Sequence, residues 1–426
     1  MQFSGAMHPP SEDVVHDWNA AEPEPAPAHP IELNDETLRD GVQSPSVTDP
    51  SLENKIELLE LMESLGIRSV NLGLPAATPR AFGNVVALAK HIQSRGLALE
   101  PNAAARTVMA DIRPIVEAVQ KTGQKIEVHT FIGSSPVRLW AENWDLESMV
   151  AMSTAAIDFA VREGLDVAFV TEDTIRSAPR SLDRLFRAAI DHGATRLVLC
   201  DTVGHATPAG TRALVRWTSQ LVSQTGADVK LDWHGHNDRG LAITNAFAAL
   251  EAGARRIHGC ALGLGERVGN TSMDLLLLNL KLMGWIRHDL TKLVSYVRKA
   301  SEACQFPIPV NYPLCGEDAF RTTTGVHAAA IIKAKKRGGK WLAERVYSGV
   351  PAADFGKEQT IEIGHMSGMS NVRHWLDRQG ITHTDSLCAK ILAHAKSLGR
   401  TLTDHDVFAI IDAASDLRPS PTSGEG

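Results

Sequence analysis

A closed eight-stranded α/β barrel followed by a mostly helical appendage is the fold this sequence predicts, and three observations predict it. Short β-branched runs alternate with amphipathic stretches roughly eight times over about 250 residues, the form of a (β/α)8, or TIM-type, barrel. Polar, chemistry-bearing residues follow nearly every strand, as expected where all strand C-termini ring one pocket. Beyond residue 286 the alternation stops. A doubly wound open sheet would share the alternation; the clustering of polar residues after the strands favours the barrel.

Taken in order, Ile31–Asn34 reads as the first strand and Glu53–Leu65 as the helix after it, with Ile56, Leu59 and Leu65 spaced for one face. Ser69–Leu72 precedes the helical stretch Pro79–Arg95, and Ala98–Asn102 precedes Ala110–Lys121. Ile126–Phe131 is followed by Leu146–Glu163, and Val167–Thr171 by Ser181–His192. Leu197–Cys200 leads to Pro208–Gln224, whose Leu214, Trp217 and Leu221 form an apolar stripe. Lys230–Trp233 with Leu241–Ala252, and Arg256–Leu262 with Met273–Met283, complete the ring. Leu290–Glu302, Gly325–Lys336, Val372–Asp377 and Asp385–Leu398 read as helices of the appendage, with linker-like prolines at 307–313 and a Lys/Arg/Gly run at 335–340. The expected organisation is an extension at 1–29, a barrel at 30–285, a helical subdomain at 286–418 and a frayed tail at 419–426.

The chain has 426 residues, is 43% apolar and carries a formal net charge of −7, with acids and bases interspersed. That balance gives no electrostatic case for nucleic acid or an anionic membrane as partner. No apolar run approaches the roughly 20 residues of a transmembrane helix. The N-terminus lacks a basic stretch followed by an apolar core, and the five cysteines are scattered without a CxxC. Reduced thiols in a cytoplasmic protein are the expectation.

Two segments carry the chemistry. Asp35-Glu36-Thr37-Leu38-Arg39-Asp40-Gly41-Val42-Gln43 follows the first strand, and His234-Gly235-His236-Asn237-Asp238 ends the seventh. His234 and His236 are two apart, so on an extended strand both face the same way. If the strand ends meet, Asp40 completes a His₂/carboxylate set suited to Mg²⁺, Mn²⁺ or Zn²⁺ with positions left open for a substrate. Taken alone, an HxH pair is as well explained as one face of a surface sheet. Arg39 would set a fixed positive charge beside the metal; its bland reading is a salt bridge at the barrel mouth. Glu172 and Asp173 follow the fifth strand, where acidic residues also serve as helix caps; Glu172 is assigned to the pocket and Asp173 to the cap. Thr202 shares that ambiguity, and His129 competes with a hydrogen-bonded core histidine. The run Gly263-Leu264-Gly265-Glu266-Arg267-Val268-Gly269-Asn270 follows the eighth strand, a place where barrels often dock phosphates but where glycines also mean a turn.

In this order the segments resemble the DRE-TIM metallolyases, the metal-dependent acyltransferases and lyases sharing an Asp-x-Thr-Leu-Arg-Asp/Glu-Gly motif. Within them the chain most resembles the 2-isopropylmalate, homocitrate and citramalate synthase branch. The resemblance spans residues 31–285 and extends loosely to 325–347. It implies Asp40, His234 and His236 as metal ligands, with Asn270 close to the metal. It implies Arg39 as the catalytic arginine, and Gln43, His129, Glu172 and Thr202 around a 2-oxo-acid pocket. Gly263, Gly265 and Asn270 fall in the loop expected to help hold the acyl-CoA. Gly325-Val326-His327 is similar to the Ser-Gly-Ile-His segment of the synthases. His327, with Tyr347, thereby inherits proton removal from acetyl-CoA, the implied co-substrate. The resemblance also implies a homodimer, amino-acid biosynthesis, and a Claisen-type condensation followed by thioester hydrolysis. Two departures stand out: Asn71 replaces the usual carboxylate after the second strand, and Val170 stands where a serine is common. The chain also ends before a full leucine-binding regulatory domain would fit. One rival is a retro-aldol or retro-Claisen lyase of the hydroxymethylglutaryl-CoA lyase type, whose loop cysteine has no counterpart at 263–266. The other is a non-enzymatic scaffold, disfavoured because two histidines and an acid on a pocket floor cost stability without a cation.

Overall fold

The computed structural model describes residues 15–23 and 25–415. Of the expected extension at 1–29, the described part is mostly exposed around a 3₁₀ turn at Trp18–Ala20; its remainder, and the expected tail at 419–426, lie outside the described residues.

The alternation foreseen in the sequence is present. Along the chain come β1 (Glu32–Asp35), α1 (Leu52–Ser64), β2 (Ser69–Asn71), α2 (Pro79–Arg95), β3 (Glu100–Arg106), α3 (Met109–Thr122) and β4 (Glu127–Gly133). A short α4 (Pro136–Glu142) precedes α5 (Leu146–Arg162), β5 (Val167–Glu172) and α6 (Pro179–Asp191). Then follow β6 (Arg196–Asp201), α7 (Pro208–Thr225), β7 (Lys230–Gly235), α8 (Ala242–Ala252), β8 (Arg256–Gly259), α9 (Met273–Leu282) and α10 (Leu293–Cys304). The strands pair in sequence order, all parallel, and close into a barrel. β8 meets β1 with Leu33 opposite Ile257 and Asn34 opposite His258.

Local chemistry sets the element ends. The Thr78 and Thr207 hydroxyls accept the backbone N–H groups of Ala81 and Gly210, with a proline at the first helical turn where no N–H is required. α2 and α7 stop at Gly96 and Gly226, whose φ values of 64° and 71° a Cβ would strain. α4 escaped the sequence reading because a two-turn helix with no buried residue has no apolar stripe to detect.

Strand alternation sorts the residues. Val70, Val128, Phe169, Leu197, Leu199, Trp233 and Ile257 are buried, and Leu58, Leu59, Met62, Val85, Leu88 and Ile92 supply buried helix faces. Burying each such side chain contributes roughly 1.5–3 kcal/mol. The opposite strand face mixes polar side chains such as Asn71, His129 and His234 with apolar ones such as Val170 and Val198, and it builds the site described below.

The expected boundary at 285/286 falls elsewhere in the structure, where the compact barrel unit runs from Glu22 to Ile308. α10 packs against α1 and is tied down twice. Its Tyr296 hydroxyl donates to the buried Asp35 carboxylate, and Lys299 pairs with Glu57. No periodicity announces a contact between residues so far apart in sequence.

The second unit holds the described residues from Pro309 onward together with 15–21. It contains β9 (Arg321–Thr322), α11 (Gly325–Arg345), β10 (Thr360–Ile361), α12 (Met369–Arg378), α13 (Asp385–Ser397) and α14 (Asp404–Ser415), with β9 and β10 forming a parallel pair. Its core is Ile363, Val372, Leu376, Cys388, Ile391, Ala395, Leu402 and Val407. α11 breaks at Gly339, and a smaller apolar cluster joins Ala328, Ile331 and Ala334 to Ala343, Leu342 and Val346 across that break.

Burial lifts the Asp35 carboxyl from its ordinary 3.8 to about 6, with hydrogen bonds from Thr37 and Tyr296 pulling the other way. A carboxyl that holds its proton better folded than unfolded favours the folded state at low pH, and that advantage is lost as pH rises from about 4 through about 6. Asp35→Asn cannot ionise. Urea unfolding at pH 4 and pH 7 is expected to show the variant gaining up to about 3 kcal/mol on the wild type across that window.

Candidate active site

The segment after β1 divides its labour residue by residue. Asp35 accepts from the Thr37 backbone N–H at 2.8 Å as well as from Tyr296. The Thr37 hydroxyl accepts the Ala261 N–H at 2.9 Å, tying the turn to the chain beyond β8. Glu36, 1% exposed, holds Arg39 at 2.7 Å, the His258 Nδ1 at 3.1 Å and the Asn34 amide at 2.8 Å. These bonds fix the backbone that presents Arg39 and Asp40. Burial opposes ionisation of Glu36, but Arg39, His258 and His234 outweigh it and hold the carboxyl well below the usual range.

Asp40 and the two histidines of β7 meet. Asp40 Oδ2 lies 3.2 Å from His234 Nε2 and 3.6 Å from His236 Nε2, and the two imidazole nitrogens are 3.4 Å apart. All three side chains are buried. Asn270 arrives because the chain after β8 folds back: Asn270 pairs with His236 in an antiparallel bridge, and the Thr271 N–H bonds the Gly235 carbonyl. Asn270 donates its amide to Leu264 O, leaving its buried Oδ1 without a hydrogen-bond partner. The Asp40 carboxylate oxygen and the two imidazole nitrogens lie within 4.8 Å of one another and fit a divalent cation. Charge agrees with that fit. Burial opposes the Asp40 anion, but Arg39, His234 and His236 hold its carboxyl far below the ordinary range. Burial and the neighbouring His234 push His236 down to about 4, so its imidazole is neutral, the form that binds a metal.

Above this floor is a cavity of about 270 Å³. Arg39, Asp40, Gln43, His129, Glu172, Thr202, His234 and His236 all line it. Its wall across the barrel is apolar: Leu74, Ala104, Phe131, Val170 and Val198. Asn71 also lines it; its Oδ1 accepts the Gly73 N–H at 3.1 Å and its buried Nδ2 has no partner. Burial raises the Glu172 carboxyl, only partly countered by Arg138 at 3.3 Å. The Thr202 hydroxyl accepts the Asp173 N–H at 2.8 Å, and Asp173 is clasped by Arg176, so Asp173 is structural.

His129 serves two ends. It lines the cavity, and below it its Nε2 lies 2.9 Å from Glu127 Oε2 and 3.2 Å from Arg256 Nη2. Burial makes its imidazole harder to protonate. Gly263 and Gly265 act through Asn270: a Cβ on Gly265 would lie 2.2 Å from the Asn270 amide nitrogen, and one on Gly263 would lie 3.0 Å from its carbonyl oxygen. Close approach within the loop therefore accounts for both glycines. His327 and Tyr347 belong to the second unit, where their rings sit 4.0 Å apart at a small pocket with Phe320, Ile331 and Gln359.

Sequence reading missed Glu36 and His258. His258 Nε2 lies 3.0 Å from Asp232, which also takes Arg196 and Arg256 at 2.6 Å each. Hydrogen bonds to Asp232 and Glu36 more than offset burial and raise the His258 pKa. The available signal was the two-residue spacing of Arg256 and His258, the same inward period that marked His234 and His236.

Fold and site together define a barrel enzyme whose reacting groups ring the C-terminal ends of the strands. The chain belongs to the HMGL-like family, which it matches over residues 30–308. It is similar to a 2-isopropylmalate synthase of Nitratidesulfovibrio vulgaris, with 31% identity over 395 residues, 89% of this chain and 73% of that protein. A 2-isopropylmalate synthase of Neisseria meningitidis is 30% identical over 88% of this chain and 72% of its own length. Homocitrate synthase AksA of Methanopyrus kandleri is 30% identical over 86% and 87%. Among solved structures, the HMG-CoA lyase of Brucella melitensis superimposes with a TM-score of 0.54 at 19% identity, covering 65% of this chain and all (100%) of that one. That likeness concerns the fold.

Glu36→Gln removes the one negative charge shared by Arg39 and His258. Breaking a buried pair this way costs about 3–5 kcal/mol, whereas Glu172→Gln, at a half-exposed carboxyl, is expected to stay within about 0.5 kcal/mol. Urea unfolding of the two variants checks the contrast.

Proposed function

We propose that this chain is an acyltransferase that condenses acetyl-CoA with a 2-oxo acid and then hydrolyses the thioester, a reaction of amino-acid biosynthesis. The observation that carries the reading is the meeting of Asp40, His234 and His236 beside Arg39 in a family whose relatives are named 2-isopropylmalate and homocitrate synthases. A divalent cation (Mg²⁺, Mn²⁺ or Zn²⁺) held by Asp40, His234 and His236 with Asn270 would supply Lewis-acid polarisation of the oxo-acid carbonyl.

The residues divide the remaining work. Thr202 accepts from Asp173, so its own proton is available to a substrate carboxylate, and Gln43 offers a further amide. The apolar wall receives the side chain of the oxo acid. His327, aided by Tyr347, takes a proton from the acetyl methyl group. The methyl carbon then bonds to the keto carbon while the C=O electron pair moves onto oxygen. Arg39, whose proton is held firmly by Glu36 and Asp40 despite burial, stabilises that alkoxide. Glu172, whose carboxyl is raised by burial, returns a proton to it. Water then cleaves the C–S bond, giving a carboxylate and the CoA thiol. Buried thiols at Cys200, Cys260, Cys304 and Cys388 support a reducing, cytoplasmic setting, and the likeness to the synthase branch supports a homodimer.

The reading is tested by thiol release from acetyl-CoA over pyruvate, 2-oxoisovalerate, 2-oxoglutarate and oxaloacetate. At least one acid is expected to liberate CoA, with loss on chelation and recovery on adding back a divalent ion. Absence of CoA release with every acid would favour the lyase reading. Arg39→Ala is expected to cut turnover roughly 10²–10³-fold, the effect of one lost oxyanion donor, with metal content by plasma emission unchanged. Loss of bound metal in that variant would contradict the role given to Arg39.

A further inference from the structure

The second unit carries a concentrated positive charge that the chemistry above does not use. Lys333, Lys335, Lys336, Arg337 and Lys340 of α11 are exposed, and among the described residues only Lys340 is in an ion pair, with Glu344 at 3.8 Å. Chain geometry concentrates these charges. Gly339, with φ 68° and ψ −160°, breaks the helix, and the apolar cluster across the break packs the two limbs together. The run Lys335-Lys336-Arg337-Gly338-Gly339-Lys340 is therefore the tip of a helical hairpin. Its field reaches α12: after burial, Lys335 and Arg378 are the groups that hold the His374 imidazole below its ordinary pKa.

Position relative to His327 indicates what the tip would take. His327 lies in the first turn of the same limb, and residues 335–337 stand about 12–15 Å further along the axis at about 1.5 Å per residue. In an acyl-CoA, about thirteen bonds of roughly 1.3–1.6 Å separate the thioester sulfur from the first phosphorus, an extended reach of roughly the same length. We propose that the tip formed by Lys335, Lys336, Arg337 and Lys340 binds the phosphates of the acyl-CoA, its 3′-phosphoadenosine diphosphate end, while the thioester lies by His327. This rests on the proposed acyltransferase reading. It moves phosphate recognition from the glycine loop at 263–269, whose conformation Asn270 already explains, to a surface with unpaired cations.

The test uses the full chain and two readouts. In CoA-release kinetics, the Lys335→Gln/Lys336→Gln/Arg337→Gln triple variant is expected to raise the KM for acetyl-CoA about tenfold or more, with kcat within about twofold. Its KM for S-acetylpantetheine, which lacks the phosphates, is expected to match the wild type. Lys335→Arg/Lys336→Arg keeps the charge and is expected to keep the wild-type KM. Calorimetric titration with CoA reads the tip without turnover, and the triple variant is expected to bind at least about tenfold more weakly, a gap that narrows as salt rises. Wild-type CoA binding that the triple variant loses, in a chain that releases no CoA, would sink the acyltransferase reading and keep this one. Equal CoA affinity in wild type and triple variant overturns the proposal, including where only retention on heparin falls. No CoA binding by the wild type overturns both.

Discussion

The pairing of β8 with β1 is the constraint on which the rest of the barrel depends. An open sheet would leave the segment after β1 at one edge and the histidines of β7 near the other. Closure with Asn34 opposite His258 instead brings Asp40 within 3.2 Å of His234. The register matters as much as the closure, because a one-residue slip would turn the inward face of β8 outward and remove His258 from Glu36. Two long-range ties reinforce the joint: Thr37 to the Ala261 N–H, and Asp35 to Tyr296 of α10. α10 thus acts as part of the barrel, although it comes after the last β/α repeat.

Beneath the reacting groups runs a continuous line of alternating charge, from Arg39 through Glu36, His258 and Asp232 to Arg196 and Arg256. Buried ions are costly unless each is paired and hydrogen-bonded. Here every link satisfies its neighbour, and Glu127 and Glu32 complete the far end. Such a network contributes little net stability compared with a well-packed apolar core. Its physical effect is orientation: Arg39 can neither rotate away from the cavity nor lose its charge without stranding Glu36. The upper end of the same interior is different in kind. Asp40 brings a carboxylate oxygen to where the nitrogens of His234 and His236 converge, a set of donors that a cation would complete.

The two ends of the proposed reaction draw on different physics. The barrel supplies a rigid, desolvated pocket with one charged sector and one apolar wall, suited to a small acid held by its polar head. The second unit carries the His327–Tyr347 pair and an exposed cationic hairpin, the parts to which the proposals above assign the long, highly charged thioester. A neutral amide at Asn71 fits the first of these, since the lining already contains the acids Glu36, Glu172 and Glu266.

Much of this was legible in the residues themselves. β-branched runs and apolar stripes located all eight strands and the helix that follows each, though not the short α4 nor the place of α10 in the barrel unit, because an element that must bury one face writes its period into the chain. The same period placed His234 and His236 on one face, and the Asp35–Gln43 segment marked where a carboxylate and an arginine would be presented. Partnership was not legible. Nothing local in Glu36 says that it holds both Arg39 and His258, nothing in Gly265 says that Asn270 fills the space a Cβ would need, and nothing in Tyr296 says that it reaches Asp35. Those facts arise where segments distant in sequence come within a few ångströms. A chain determines its own periodicities residue by residue, but which side chain neutralises or displaces which other is settled only when the ring closes.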